Sequence, residues 1–354
     1  LRCLVVAALL AALAVPAAAD LAALYRRPSA QWPAAWIDPG VAFEELAAAT
    51  PASAAPQDAA RAALGARLFA DPRLSASGRI ACASCHQPAH GWSVPAPVAR
   101  GEHGASGRRN PPDLRNAPGH ARWGWDGRGA SLAAQSLAPL TAPHEMANPA
   151  LEPVIARLRA APGHAQAFAR AYGTREVTAA HLGDALAAYQ AGLARQAPPT
   201  RFDRFAQGEW TALDAQEIRG LHLFRTKARC ANCHFGPRLS DGKFHNLRIS
   251  SFGEKAQDLG RHAVTGRAED AGAFRTPSLR RVRESPPYMH SGLFASLEGA
   301  INLYDRGGGE VWARNAAEAD HPLYPHAARL SPHIRPLGLS EDEKAALAAF
   351  LRAL

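Results

Sequence analysis

The sequence predicts a mainly α-helical chain of two related domains with long ordered loops. Apolar residues recur at helical spacing, alternating strand patterns are sparse, and one helix ending occurs twice within the 354 residues. The first helix covers 59–69, with Leu64 and Leu68 on one face. Thr178 caps a second, which aligns Leu182, Leu186, Tyr189 and Leu193. Asp214 opens a third carrying Ile218, Leu221 and Phe224. Ser340 and Glu343 form a capping box ahead of Leu347, Phe350, Leu351 and Leu354. These stripes are core faces and carry no chemistry. Helical periodicity breaks at Pro198 and Pro199, which sets a boundary between one domain of 20–200 and another of 201–354.

The repeated ending is Gly65-Ala66-Arg67-Leu68-Phe69 and Gly220-Leu221-His222-Leu223-Phe224. Each leads into a Cys-x-x-Cys-His motif, Cys82-Ala83-Ser84-Cys85-His86 and Cys230-Ala231-Asn232-Cys233-His234. That pattern attaches a c-type haem: two thiols add across the vinyl groups and the next imidazole becomes the proximal iron ligand. A structural zinc site needs four ligands closing one tetrahedron, which neither motif supplies. A redox dithiol or a disulfide does not require the following His, and here it appears both times. The chain therefore reads as two cytochrome-c-like helical haem domains with two covalently bound haems. On this reading the irregular stretches 87–116 and 235–288 are loops ordered around large apolar nuclei.

Residues 1–19 read as a secretory signal. Arg2 supplies the charged start, Leu4 to Val15 the apolar stretch, and Ala17-Ala18-Ala19 a small-residue cleavage site before Asp20. The stretch is too short for a comfortable membrane span, and no later segment approaches the required length. Cys3 leaves with the signal, so the remaining four of the five cysteines all belong to the haem motifs. Export to a bacterial periplasm, where c-type haems are attached, is the expected location. The formal charge is +9, and of the 40 basic residues only Lys227, Lys243, Lys255 and Lys344 are lysines. The surplus of arginine suits propionates and an acidic partner, whereas the lack of a dense basic run argues against nucleic acid.

Further motifs stand in a fixed order. They are Leu68-Phe69-Ala70-Asp71-Pro72-Arg73-Leu74-Ser75, Arg109-Asn110-Pro111-Pro112, Trp125-Asp126-Gly127-Arg128, Pro143-His144-Glu145-Met146, Phe274-Arg275-Thr276-Pro277-Ser278-Leu279-Arg280 and Pro287-Tyr288-Met289-His290-Ser291-Gly292. Together they resemble the bacterial di-haem cytochrome c peroxidase family, including its MauG-like branch, over roughly 64–354. The resemblance implies that the N-terminal haem, ligated by His86, is peroxidatic. It implies that Glu145 is the distal carboxylate that moves a proton during O–O cleavage, with Pro139 shaping the pocket. Some members carry a distal His on the resting N-terminal iron. The ungapped position here is Glu102, and His103 takes that role if the loop shifts by one residue. Trp125 matches the tryptophan between the haems, with Trp123 as competitor.

For the C-terminal haem the resemblance gives His234 as proximal ligand and Tyr304 as the sixth, where the better-known branch has methionine. Met289 is the alternative. The family also holds an interdomain calcium ion, for which Asn110 offers a side-chain oxygen and Ser285 and Pro287 their carbonyls. His290 is expected near a propionate or in a structural role. The implied function is reduction of hydrogen peroxide with electrons from a donor protein, a small cytochrome c or a copper protein. The alternative is a MauG-like oxidase that uses peroxide and two high-valent haems to modify residues of a partner protein. A non-catalytic di-haem electron carrier is the third reading. A homodimer is left open.

Overall fold

The computed structural model describes residues 18–50, 55 and 57–354. The expected signal segment lies outside them except for Ala18 and Ala19, which open helix Ala18–Tyr25. The described chain is mainly helical, and its one small sheet pairs Phe244–Asn246 with Ala273–Arg275 in antiparallel register.

The first core forms where helix Asp58–Phe69 lies against helix Ala179–Gln196. Leu64, Leu68 and Phe69 from one meet Leu182 and Leu186 from the other, and helices Leu132–Thr141, Leu151–Ala160 and His164–Tyr172 close over them with Leu140, Val154, Leu158 and Phe168. The Thr178 hydroxyl accepts from His181 N at 3.1 Å, as an N-cap should. Gly65 explains the close crossing. A Cβ there would stand 2.0 Å from the Ala185 carbonyl oxygen and 2.8 Å from Tyr189 Cβ.

The second core repeats the device. Helix Ala215–Arg225 crosses helix Glu341–Ala353, and a Cβ on Gly220 would stand 2.0 Å from the Ala346 carbonyl oxygen. Asp214–Glu217 and Ser340–Glu343 each form the capping box at the start of these helices. Ile218, Leu221, Phe224, Leu347 and Phe350 fill the interface. Between the two units, Gln196 ends one helix and Thr200 caps the next, Arg201–Ala206.

Residues 21–46 depart from a first domain running 20–200. Leu21, Tyr25, Trp32 and Leu46 belong to the second core, not the first. The Trp32 ring lies 6.5 Å from Phe202 and 6.2 Å from Phe205, and Arg225 bonds Glu45, Tyr25 and the Pro33 carbonyl. The boundary drawn from proline punctuation misses this because the match is between aromatic surfaces far apart in sequence.

Candidate haem sites and the region between them

Cys82–Cys85 forms a single helical turn, tied by Ala81 N to Ser84 Oγ at 3.1 Å and by His86 N to the Cys82 carbonyl at 2.9 Å. At the second motif His234 N likewise donates to the Cys230 carbonyl at 2.9 Å. Each imidazole then turns its Nδ1 to a backbone carbonyl, His86 to Trp92 at 2.8 Å and His234 to Leu239 at 3.0 Å. A carbonyl only accepts, so Nδ1 carries the proton and Nε2 keeps a free lone pair. That is the tautomer an iron-ligating histidine requires. Burial depresses both imidazole pKa values, which favours the neutral form. All four thiols are free of disulfides, and burial pushes Cys82, Cys230 and Cys233 up to about 12 and Cys85 up to about 11. The first Leu-Phe ending serves its site directly, since Phe69 lies 6.4 Å from the His86 ring and 5.9 Å from Trp92. These residues fit two c-type haems.

Glu145 belongs to the first site. Its charge raises the pKa of both Cys82 and Cys85, so the carboxyl lies within their electrostatic reach. Burial lifts its own pKa above the ordinary carboxylate range, opposed by His144 and Arg128. The turn that carries it is fixed from below. Met146 N donates to the Pro139 carbonyl at 3.1 Å, and the Asn148 amide donates to the carbonyls of Leu74 and Leu140 at 2.7 Å each. Pro139, inside helix Leu132–Thr141, thus anchors the turn through its carbonyl.

The loop 101–107 packs on the back of this turn. Glu102 N donates to the Glu145 carbonyl at 2.8 Å, and a Cβ on Gly101 would collide with the His144 and Glu145 carbonyl oxygens. The Glu102 side chain is buried against Ser77, accepting from its amide at 3.1 Å and its hydroxyl at 2.7 Å. His103 has φ +54° and an exposed side chain. The Glu102 carboxylate is therefore committed to Ser77, whereas the His103 imidazole is exposed.

Tyr304 belongs to the second site, on helix Leu297–Asp305. Burial drives the phenol pKa well up, and Cys233 and Cys230 add to the shift, which puts the ring within reach of that motif. Among the described residues its hydroxyl has no hydrogen-bond partner. Met146 is buried in the first core, and Met289 sits at φ +71° in the turn that Tyr288 and Phe294 close.

Trp125 stands where the two units meet. Its indole N–H donates to the Asn110 carbonyl at 2.8 Å, and its own carbonyl accepts from Arg275 N at 2.8 Å. The ring lies 6.5 Å from His290, which stacks on Phe274 at 3.6 Å. Trp123 instead bonds the nearby Ala117 carbonyl at 2.7 Å, a local turn contact. An ion cluster that sequence reasoning missed flanks Trp125: Arg109 donates to Asp126 at 2.5 Å and to both oxygens of Asp258 at 2.7 and 2.9 Å. Arg128 also grips Asp126, at 2.6 Å, which positions the cation that acts on Glu145. Arg109, Asp126 and Arg128 lie in noticed motifs, but Asp258 carried no local signal.

Of the residues implied for calcium, Asn110 donates its amide to the Ala96 and Pro97 carbonyls at 3.2 Å each, and its Oδ1 accepts from Ser93 Oγ at 3.3 Å. The Ser285 and Pro287 carbonyls accept no hydrogen bond among the described residues.

Two attachment turns with ligand-ready imidazoles, one faced by a carboxyl and the other by a phenol, define a two-haem oxidoreductase. A profile of di-haem cytochrome c peroxidases matches residues 59–211. The methylamine utilization protein MauG of Methylorubrum extorquens is 39% identical over 308 residues, covering 83% of this chain and 78% of that one. Cytochrome-c peroxidase IdrP1 of a Pseudomonas species is 35% identical over 327 residues, covering 84% and 82%. The crystal structure of a MauG-like protein associated with microbial copper homeostasis superposes with a TM-score of 0.73 at 30% identity, covering 90% of this chain and 95% of that one. The chain belongs to the di-haem cytochrome c peroxidase family and is an oxidoreductase of that type. Among the described residues no helix is long and apolar enough to cross a membrane.

Proposed function

We propose that the chain is a periplasmic di-haem peroxidase that reduces hydrogen peroxide to water with two electrons and two protons, the electrons coming from an external donor protein. The observation that carries this reading is the asymmetry of the two sites: Glu145 lies within electrostatic reach of Cys82 and Cys85, and Tyr304 within that of Cys230 and Cys233. Bound haem supplies the redox chemistry at which the O–O bond is broken. Glu145 accepts a proton from the peroxide oxygen nearer His86 and returns it to the farther one, so that water leaves. Arg128 and His144 oppose the burial-driven rise and so favour the ionised carboxylate before the first transfer and after the second. Trp125 offers an oxidisable indole between the sites, and His234 and Tyr304 would hold the electron-transferring haem. A small cytochrome c or a copper protein fits as donor. Calcium held by Asn110, Ser285 and Pro287 belongs to the same proposal, as does removal of residues 1–19 on export.

A second reading has specific support. A phenolate is a hard anionic donor that favours oxidised iron, and Glu102, at the ungapped distal-His position, has its carboxylate bonded to Ser77. Both features suit a MauG-like oxidase acting on a partner protein. A plain electron carrier, by contrast, has no use for Glu145 at an accessible site. The test is stopped-flow absorption of the fully oxidised holoprotein mixed with hydrogen peroxide. Immediate reaction that Tyr304→Met alters supports the MauG-like branch. Reaction only after one haem is reduced supports a reductively activated peroxidase, and no reaction in either state overturns the peroxidase proposal.

A further inference from the structure

Three arginines are buried among the described residues, Arg225, Arg275 and Arg280. Arg225 pairs with Glu45, and Arg280 pairs with Asp203 at 2.5 Å. Arg275 has no carboxylate partner among the described residues. Its Nε donates to the Gly124 carbonyl at 3.1 Å and its Nη1 to the Thr276 carbonyl at 3.3 Å, while Nη1 also lies 3.3 and 3.2 Å from the two ring nitrogens of His120. Among the described residues its Nη2 has no hydrogen-bond partner. An unpaired buried guanidinium is costly, and proteins rarely retain one without an anion to meet it.

The surroundings add positive charge. The Arg238 guanidinium lies over the same turn, 3.3 Å from where a Gly119 Cβ would be. Burial, then Arg275 and Arg238, hold the His120 imidazole down to about 3, so it stays neutral. Asp241, the carboxylate on the adjoining loop, is already taken by His245 at 2.8 Å and the Lys243 amide at 2.9 Å. The charged and titratable groups around this point are thus Arg275, Arg238, His120, Lys243, His245 and an occupied Asp241.

Its place in the fold selects the anion. Arg275 ends strand Ala273–Arg275, with its amide on the Trp125 carbonyl. The next residue, Thr276, donates its N–H to Lys243 at 2.9 Å and accepts from Ser240 Oγ at 2.8 Å. Ser240 follows Leu239, whose carbonyl orients His234. The unpaired cation therefore stands between Trp125 and the loop that holds the second proximal histidine. We propose that Arg275, assisted by Arg238 and His120, is the anion site for a propionate of the haem attached at Cys230 and Cys233. A planar fork of donors suits a carboxylate, and a cation at that edge raises the potential of the haem it serves. It also keeps the propionate ionised across the neutral range, so the potential varies little with pH.

The inference rests on the two-haem reading, and the test separates their failures. Haem content of the purified holoprotein is measured as pyridine haemochromogen for wild type, R275K, R275Q and R238Q, followed by spectroelectrochemical titration from pH 5 to 9. Two haems per chain establish the reading. The expected result is a fall in the midpoint potential of the second haem, largest in R275Q, smaller in R275K and R238Q, with a new pH dependence in R275Q. If R275Q fails to load haem, R238Q, which changes an exposed side chain, carries the test alone. Unchanged potentials and pH dependence in the loaded variants overturn the proposal, and so does a shift confined to the first haem.

Discussion

Glu145 has a pKa raised by burial, and the neighbouring His144 ring and Arg128 guanidinium oppose the shift. A group with that balance can take a proton and give it back more readily than an ordinary glutamate. As the base it must be ionised, so peroxide reactivity should fall as pH drops through a midpoint above the ordinary glutamate value. E145Q keeps the shape and removes the proton acceptor. Its reaction with peroxide should slow by about 10²- to 10⁴-fold, and the acid limb of the rate profile should vanish, both read by stopped flow. Retention of that limb in E145Q would assign it to another group. At this scale the two haem motifs were visible in the sequence, because each is a recognisable five-residue string. Glu102 was not: position alone suggested a pocket residue, whereas its carboxylate is spent on Ser77.

The two helix pairs show how much an element reveals before its partner is known. Leu64 and Leu68, or Ile218 and Leu221, announce a buried face through their spacing. The glycine one turn before the Leu-Phe ending announces nothing by itself. Its role emerges only when Gly65 meets the Ala185 carbonyl and Gly220 meets that of Ala346. Backbone cannot yield there as a flexible side chain could, so the helices must separate. G65A and G220A should each cost about 1–3 kcal/mol or more, measured as loss of thermal stability in the holoprotein. By contrast S340A, which removes one cap hydroxyl from the Ser340–Glu343 box, should cost only about 1 kcal/mol. Equal losses in G220A and S340A would mean that the crossing is looser than the 2.0 Å approach implies. The N-terminal segment was illegible for a related reason. Tyr25, Trp32 and Leu46 are too few and too scattered to show a period, and their place is fixed only by Phe202, Phe205 and the helices behind them.

The relation between the two units depends on the Arg109 cluster beside Trp125. Arg109 and Asp126 come from the first unit and Asp258 from the second, 149 positions away, so no local pattern could have paired them. Burial raises the Asp258 pKa, but Arg109 and the Gly260 amide outweigh it and the net shift is downward. A carboxylate depressed on folding contributes stability that is complete above its unfolded pKa of about 4 and is lost as pH falls through the folded value. Asp126, also depressed and fully withdrawn from water, has the same sign. Acid should therefore loosen the joint between the units before either helical core melts. D258N removes the charge and keeps the shape, leaving Arg109 with Asp126 alone. It should lower stability at pH 7 by up to about 3 kcal/mol, less than a fully buried broken pair because Arg109 retains one partner. Near pH 3 the difference from wild type should shrink, since Asp258 is then losing its own charge. Thermal unfolding of both holoproteins from pH 3 to 8 decides the matter: a gap that stays constant with pH would show that the loss does not come from the Asp258 charge. The joint also holds Trp125 between Asn110 and Arg275, so D258N should slow electron equilibration between the haems more than it slows the first reaction with peroxide. That ordering separates a damaged joint from a damaged Glu145 site.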